Sequence, residues 1–211
     1  VAEDTGLIES IGAWVLDESV RTAAQWHAQG LRLKMSVNFS ARQFQRTEVA
    51  DQVLRALHTH QLPTDQFVLE LTETSFLHSA ERTEREIRRL RDQGVRIAID
   101  DFGTGYSSLS YIRQMSLDLL KIDRSFVSGV QTGSTDARLV HAMIDMSHAM
   151  NLTVIAEGTE TEQELRVLRA LGCDQAQGYH IARPMRAEEL IKWAKCYRPS
   201  ALLPPEDSAQ L

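Results

Sequence analysis

Six apolar stretches of this chain each deliver, at or near their C-terminal end, a residue that can hold a cation or move a proton. Asn38 ends Met35-Ser36-Val37, Glu70 ends Phe67-Val68-Leu69, and the pair Asp100-Asp101 ends Ile97-Ala98-Ile99. Lys121 lies in Leu119-Leu120-Lys121-Ile122 with Asp123 behind it, Glu157 ends Val154-Ile155-Ala156, and Gln177 closes Asp174-Gln175-Ala176. Polar groups repeated at one end of successive strands are the layout of an active site on a barrel of parallel strands. The net charge of −6 fits a site lined with acids. Such a pocket repels a phosphate unless cations intervene, so the charge itself points to bound metal.

The elements that must position these groups alternate along the chain. Helices are expected over Ile8–Gln29, Thr47–His60, Ala80–Gln93, Asp136–Met150, Thr161–Leu171 and Ala187–Lys195, with a short one near Leu109. Strands are expected over Leu31–Phe39, Phe67–Leu71, Val95–Ile99, Leu117–Ile122, Leu152–Ala156 and Asp174–Gln177. An open parallel sheet would spread six strand ends over roughly 24 Å, whereas a closed barrel faces them to one centre. The expected fold is therefore α/β, a (β/α)8 TIM-like barrel lacking its N-terminal strands, which would lie before Val1. Residues 1–198 form one domain on this reading, and 199–211 a flexible tail. With two edges open, residues 1–211 alone are expected to fold poorly.

Bulk properties exclude several classes. The acidic balance argues against a broad nucleic-acid surface, and no apolar run approaches the ~20 residues of a membrane span. Cys173 and Cys196 are the only cysteines, which suggests reduced thiols in a cytoplasmic protein. Gly103-Thr104-Gly105 lacks the Gly-Lys-Ser/Thr ending of a phosphate-cradling P-loop. Asp101-Phe102-Gly103 mimics a kinase motif without its companion loops.

Six ordered motifs then resemble one family. Val37-Asn38-Phe39-Ser40, Glu70-Leu71-Thr72-Glu73, Asp100 to Ser108, Leu120-Lys121-Ile122-Asp123, Ala156 to Glu160 and Gln177-Gly178-Tyr179 look like the signature set of EAL domains, the cyclic-di-GMP phosphodiesterases of bacteria. The resemblance runs from about Thr5 to Met185, beginning just downstream of the Glu-x-Leu motif that gives the family its name. It implies hydrolysis of cyclic di-GMP to linear pGpG, with a catalytically inactive cyclic-di-GMP receptor as the alternative. It also implies a homodimer fused to upstream sensor or GGDEF-type domains.

Phosphodiester hydrolysis needs an in-line hydroxide and neutralised phosphate oxygens, which two divalent ions supply together. Oxygen donors suit Mg²⁺ or Mn²⁺ better than zinc. By resemblance Asn38, Glu70 and Asp100 hold one ion and Asp101 contributes to the second. Lys121 orients the attacking water, and Glu157 acts as general base or as a water-mediated metal contact. Asp123 and Gln177 complete the rim. Glu73 and Glu160 stand behind it, Glu73 tethering the Phe102–Ser108 loop.

Overall fold

A computed structural model describes residues 6–46, 48–73, 80–105, 112 and 115–197. Its elements run α1 (Leu7–Ala28), β1 (Met35–Phe39), α2 (Ala41–Arg46), α3 (Val49–His60), β2 (Phe67–Thr72), α4 (Ala80–Asp92), β3 (Arg96–Phe102), β4 (Leu119–Ile122), α5 (Arg124–Val127), α6 (Thr135–Ala149), β5 (Thr153–Ala156), α7 (Glu162–Ala170), β6 (Gln175–Ala176) and α8 (Ala187–Cys196). The six strands form one sheet in sequential order, and every neighbouring pair is parallel. Parallel neighbours need a crossover, and among the described residues helices supply it between β1 and β2, β2 and β3, β4 and β5, and β5 and β6.

Side-chain alternation divides the sheet into two faces. Leu69, Leu71, Ile97, Ile99, Leu120, Ile122 and Val154 join the main core with helix residues such as Val53, Leu57, Ile87, Leu90, Val140, Ile144 and Leu168. On the other face Val68, Ala98 and Leu119 form a separate buried cluster, with Ile155 packed against it. Two residues further along each strand, on that same face, stand Glu70, Asp100, Lys121 and Glu157. The polar layer thus sits one pleat above an apolar floor. Glu70 of β2 and Glu157 beyond β5 both reach the ammonium of Lys121. About 14 Å would separate those two strands in a flat sheet, so this face is concave.

The opposite, N-terminal ends of the strands are tied by a repeated device. Asp118 accepts from the Ile97 amide (2.9 Å) and takes the guanidinium of Arg91 in α4. Asp174 accepts from the Val154 amide (2.7 Å) and meets His148 in α6 (2.9 Å). A cleft of about 560 Å³ opens at this end, beside Arg91, Asp118 and Asn151, and none of the concave-face acids lines it.

The first strand is shorter than its pattern. Leu31 and Leu33 alternate like strand residues, but pairing with β2 begins at Met35, opposite Phe67. Helices α2 and α5 are additions to the sequence reading. The helix expected near Leu109 and the tail from 199 lie outside the described residues.

Candidate active site

Lys121 is the hub. Its Nζ lies 2.6 Å from Glu157 Oε1, 2.8 Å from Glu70 Oε2 and 3.1 Å from Asp100 Oδ1. Its side chain is 4% exposed, so the charge is held by protein groups and not by water. Burial works against that charge, but Glu70 and Glu157 outweigh it and keep the ammonium above the ordinary lysine range. The Glu157 carboxyl is likewise held above the ordinary carboxylate range. Burial raises its pKa, Lys121 offsets part of the rise, and the charges of Asp100 and Glu70 add to it.

Asp100 and Asp101 are adjacent, so a regular strand would point them to opposite faces. The structure solves this with a bulge. Ile99 pairs with Leu120 and Phe102 with Ile122, so two β3 residues stand where β4 has only Lys121. Asp101 takes a left-handed backbone, φ +54°, and its amide donates to Asp100 Oδ1 (3.0 Å). One carboxylate oxygen from each of Asp100, Asp101 and Glu157 consequently lies within 4.8 Å of the other two. Burial and the neighbouring Asp100 charge raise the pKa of Asp101. Close like charges with oxygen-only donors are what a hard divalent cation would relieve.

Two more residues belong to this mouth. Gln177 Nε2 donates to Glu157 Oε1 (3.0 Å), holding the carboxylate from the β6 side. Asn38 is level with Glu70, its register partner across β1 and β2, and is exposed.

The remaining candidates bond to groups outside the Lys121 cluster, although the charge of Asp123 still reaches Asp101. Asp123 Oδ1 caps α5 by accepting from the Ser125 amide (2.9 Å) and hydroxyl (2.5 Å). Burial raises its pKa, but those bonds outweigh the effect and leave it below the usual carboxylate value. Glu160 pairs with Arg124 at 2.6 Å. Glu73 Oε2 accepts from the amides of Gly103 (3.1 Å) and Gly105 (3.3 Å), at the start of the glycine-bearing loop. Residues 106–108 of that loop lie outside the described residues.

Sequence reasoning passed over Glu164, and it quoted Gly178 only within the Gln177-Gly178-Tyr179 motif, with no role of its own. Thr161 and Glu164 form a capping box at the start of α7, a Thr-x-x-Glu spacing that was there to be read. Gly178 has no such signal, because its need is tertiary. A Cβ there would run into the backbone of Thr159.

A concave parallel sheet with an acid-and-lysine cluster at its C-terminal strand ends defines a (β/α)-barrel type of protein with a candidate metal-binding cluster at its mouth. The family model of the EAL domain matches residues 1–184, and the chain belongs to that family. It is 42% identical over 192 residues to the bifunctional diguanylate cyclase/cyclic di-GMP phosphodiesterase MucR of Pseudomonas aeruginosa, covering 90% of this chain and 28% of that protein. It is 40% identical over 189 residues to the signaling protein YkoW of Bacillus subtilis, covering 90% of this chain and 24% of that one. The chain therefore spans about a quarter of the length of these relatives. The solved MucR phosphodiesterase in complex with c-di-GMP superposes with a TM-score of 0.85 at 42% identity, covering 90% of this chain and 77% of that one. The EAL domain of Mycobacterium smegmatis DcpA gives 0.85 at 34% identity, covering 90% and 87%. Both neighbours are EAL barrel domains, the fold class expected from the strand ends.

Proposed function

We propose that this domain hydrolyses cyclic di-GMP to linear pGpG in a metal-dependent reaction. One observation carries the reading: acids from separate strands converge on Lys121, in a domain similar to a phosphodiesterase solved with c-di-GMP. Asn38, Glu70 and Asp100 would hold one divalent ion, and Asp101 would contribute to a second, Mg²⁺ or Mn²⁺ by the hardness of the donors. Such ions supply charge neutralisation at the phosphate and a more acidic water.

The protein's own groups divide the remaining work. Glu157 Oε1 is taken by Lys121 and Gln177, which leaves Oε2 free to accept the proton of the attacking water. The water oxygen bonds to phosphorus as the ribose oxygen leaves. Lys121 offsets negative charge beside the reacting phosphate and orients the water. Asp123 and Gln177 shape the rim. Glu73 holds the start of the Gly103–Gly105 loop, and Glu160 holds Arg124.

The proposal extends to the whole protein: a homodimer acting in the cytoplasm, with sensor or GGDEF-type domains upstream. Relatives named as the bifunctional MucR and the oxygen sensor protein DosP, of which this chain spans about a quarter, support the further domains in that arrangement. Among the described residues no helix is long and apolar enough to cross a membrane.

The test incubates the full-length protein with cyclic di-GMP and Mg²⁺ or Mn²⁺ and separates the nucleotides by chromatography. Linear pGpG is the expected product. Nucleotide binding without any product would overturn the reading in favour of a receptor.

A further inference from the structure

The segment from Glu157 to Thr161 must hold its first residue against Lys121, and only the Glu157 amide, which donates to Ile122 O (3.1 Å), continues the ladder to β4 before the segment becomes a loop. Three further sets of contacts fix it, one of them the Glu160–Arg124 pair already described. On the β6 side the Thr159 amide donates to Gln177 O (3.1 Å) and the His180 amide to Thr159 O (3.0 Å). On the other side stands Glu164. Its Oε2 accepts from the amides of Glu160 (2.8 Å) and Thr161 (2.9 Å), and its Oε1 accepts from the Gly129 amide (2.7 Å), just beyond α5.

This carboxylate is buried, 6% exposed. Among the described residues it has no cationic partner. A helix cap needs only one of its oxygens. The second oxygen crosses to a different strand-helix unit, the one that carries Lys121 and Asp123. Burying an unpaired charge is costly, and a neutral glutamine could not serve both sides. It offers one acceptor oxygen, and its amide would face an N–H donor.

We propose that Glu164 is a positioning residue for Glu157: it clamps the loop after β5 to the loop after α5, so that the Glu157 carboxylate meets Lys121 and Gln177 in fixed geometry. The clamp joins the two units whose side chains must work together, and it lies outside the mouth itself. Its kinetic consequence rests on the phosphodiesterase reading, but its structural consequence does not.

The test uses full-length protein carrying Glu164→Ala, Glu164→Gln or the control Glu162→Ala. Glu162 lies in the same helical turn, exposed and paired with Arg166. Each is assayed with cyclic di-GMP and Mg²⁺ well below its melting temperature, and hydrogen exchange is followed at residues 157–161. For Glu164→Ala the expected result is a fall in kcat of about tenfold or more, as loose placement of a reacting group costs, with KM changed by less than about threefold. Glu164→Gln should fall in between, the control should match the parent, and exchange at 157–161 should quicken in the Ala variant alone or most. A Glu164→Ala enzyme with kcat within about twofold of the parent, or with unchanged exchange, would overturn the clamp. If Glu164→Ala does not fold, Glu164→Gln carries the same two readouts. If the parent protein shows no turnover, the phosphodiesterase reading fails, while the exchange measurement still decides the clamp.

Discussion

Lys121 shows how one side chain can be needed twice. It is the counter-charge that lets Glu70, Asp100 and Glu157 share a small buried volume, and in the proposed reaction it offsets negative charge beside the phosphate. Removing one partner of a buried ion cluster leaves the others uncompensated, on the order of 3 kcal/mol. Lys121→Ala should therefore lower unfolding stability by about that much, read from urea titration of the full-length protein. It should also cut turnover by at least about a hundredfold. Unchanged stability would show that the carboxylates do not depend on this charge, and near-normal turnover would remove Lys121 from the mechanism. The sequence displayed these residues well, because a charged residue after an apolar run is conspicuous. What it could not display was how Asp100 and Asp101 come to act together. Neighbours in a strand diverge, and only the bulge opposite Lys121, with Asp101 left-handed, turns them toward one point.

The strands and long helices were legible because burial imposes a period on them. Each of the six expected strands has a counterpart in the sheet, with ends shifted by a few residues where pairing and apolar pattern part company, as at Leu31–Lys34. Helices α2 and α5 were not legible, since six and four residues are too short to show a 3.6-residue repeat. Loop packing was equally hidden. Gly178 presses against the Thr159 backbone so closely that any Cβ would displace it, and that backbone bonds to Gln177 and His180. Gly178→Ala should thus destabilise the domain by about 2 kcal/mol, the usual scale of overpacking, and should loosen Gln177 from Glu157. The check is a melting curve beside the parent's. An unshifted midpoint would mean the two loops have room to part.

Across the whole molecule, charge and fold are matched by layer. The charged groups of the mouth, the apolar floor beneath them and the helix-packed outer face follow one another in every central strand. Stability should respond to acid through buried carboxylates such as Glu164. Burial raises its pKa, but the bonds from Gly129, Glu160 and Thr161 outweigh that and hold it below the ordinary value. A group whose folded pKa is depressed adds stability above its unfolded pKa, and that contribution fades as pH falls through the folded value. The stability gap between the parent and Glu164→Gln should accordingly be widest near neutrality and narrow below about pH 4. A gap that stays constant with pH would assign the effect to shape instead of charge. The layering has a consequence for assembly. If any central strand slid by a single position against its neighbour, a leucine or isoleucine would enter the wet mouth while an acid or the lysine was driven into oil. Mispaired intermediates are thereby penalised twice over, once by solvation and once by lost ion pairing, and the residues that do the chemistry also proofread the folding of the sheet that carries them.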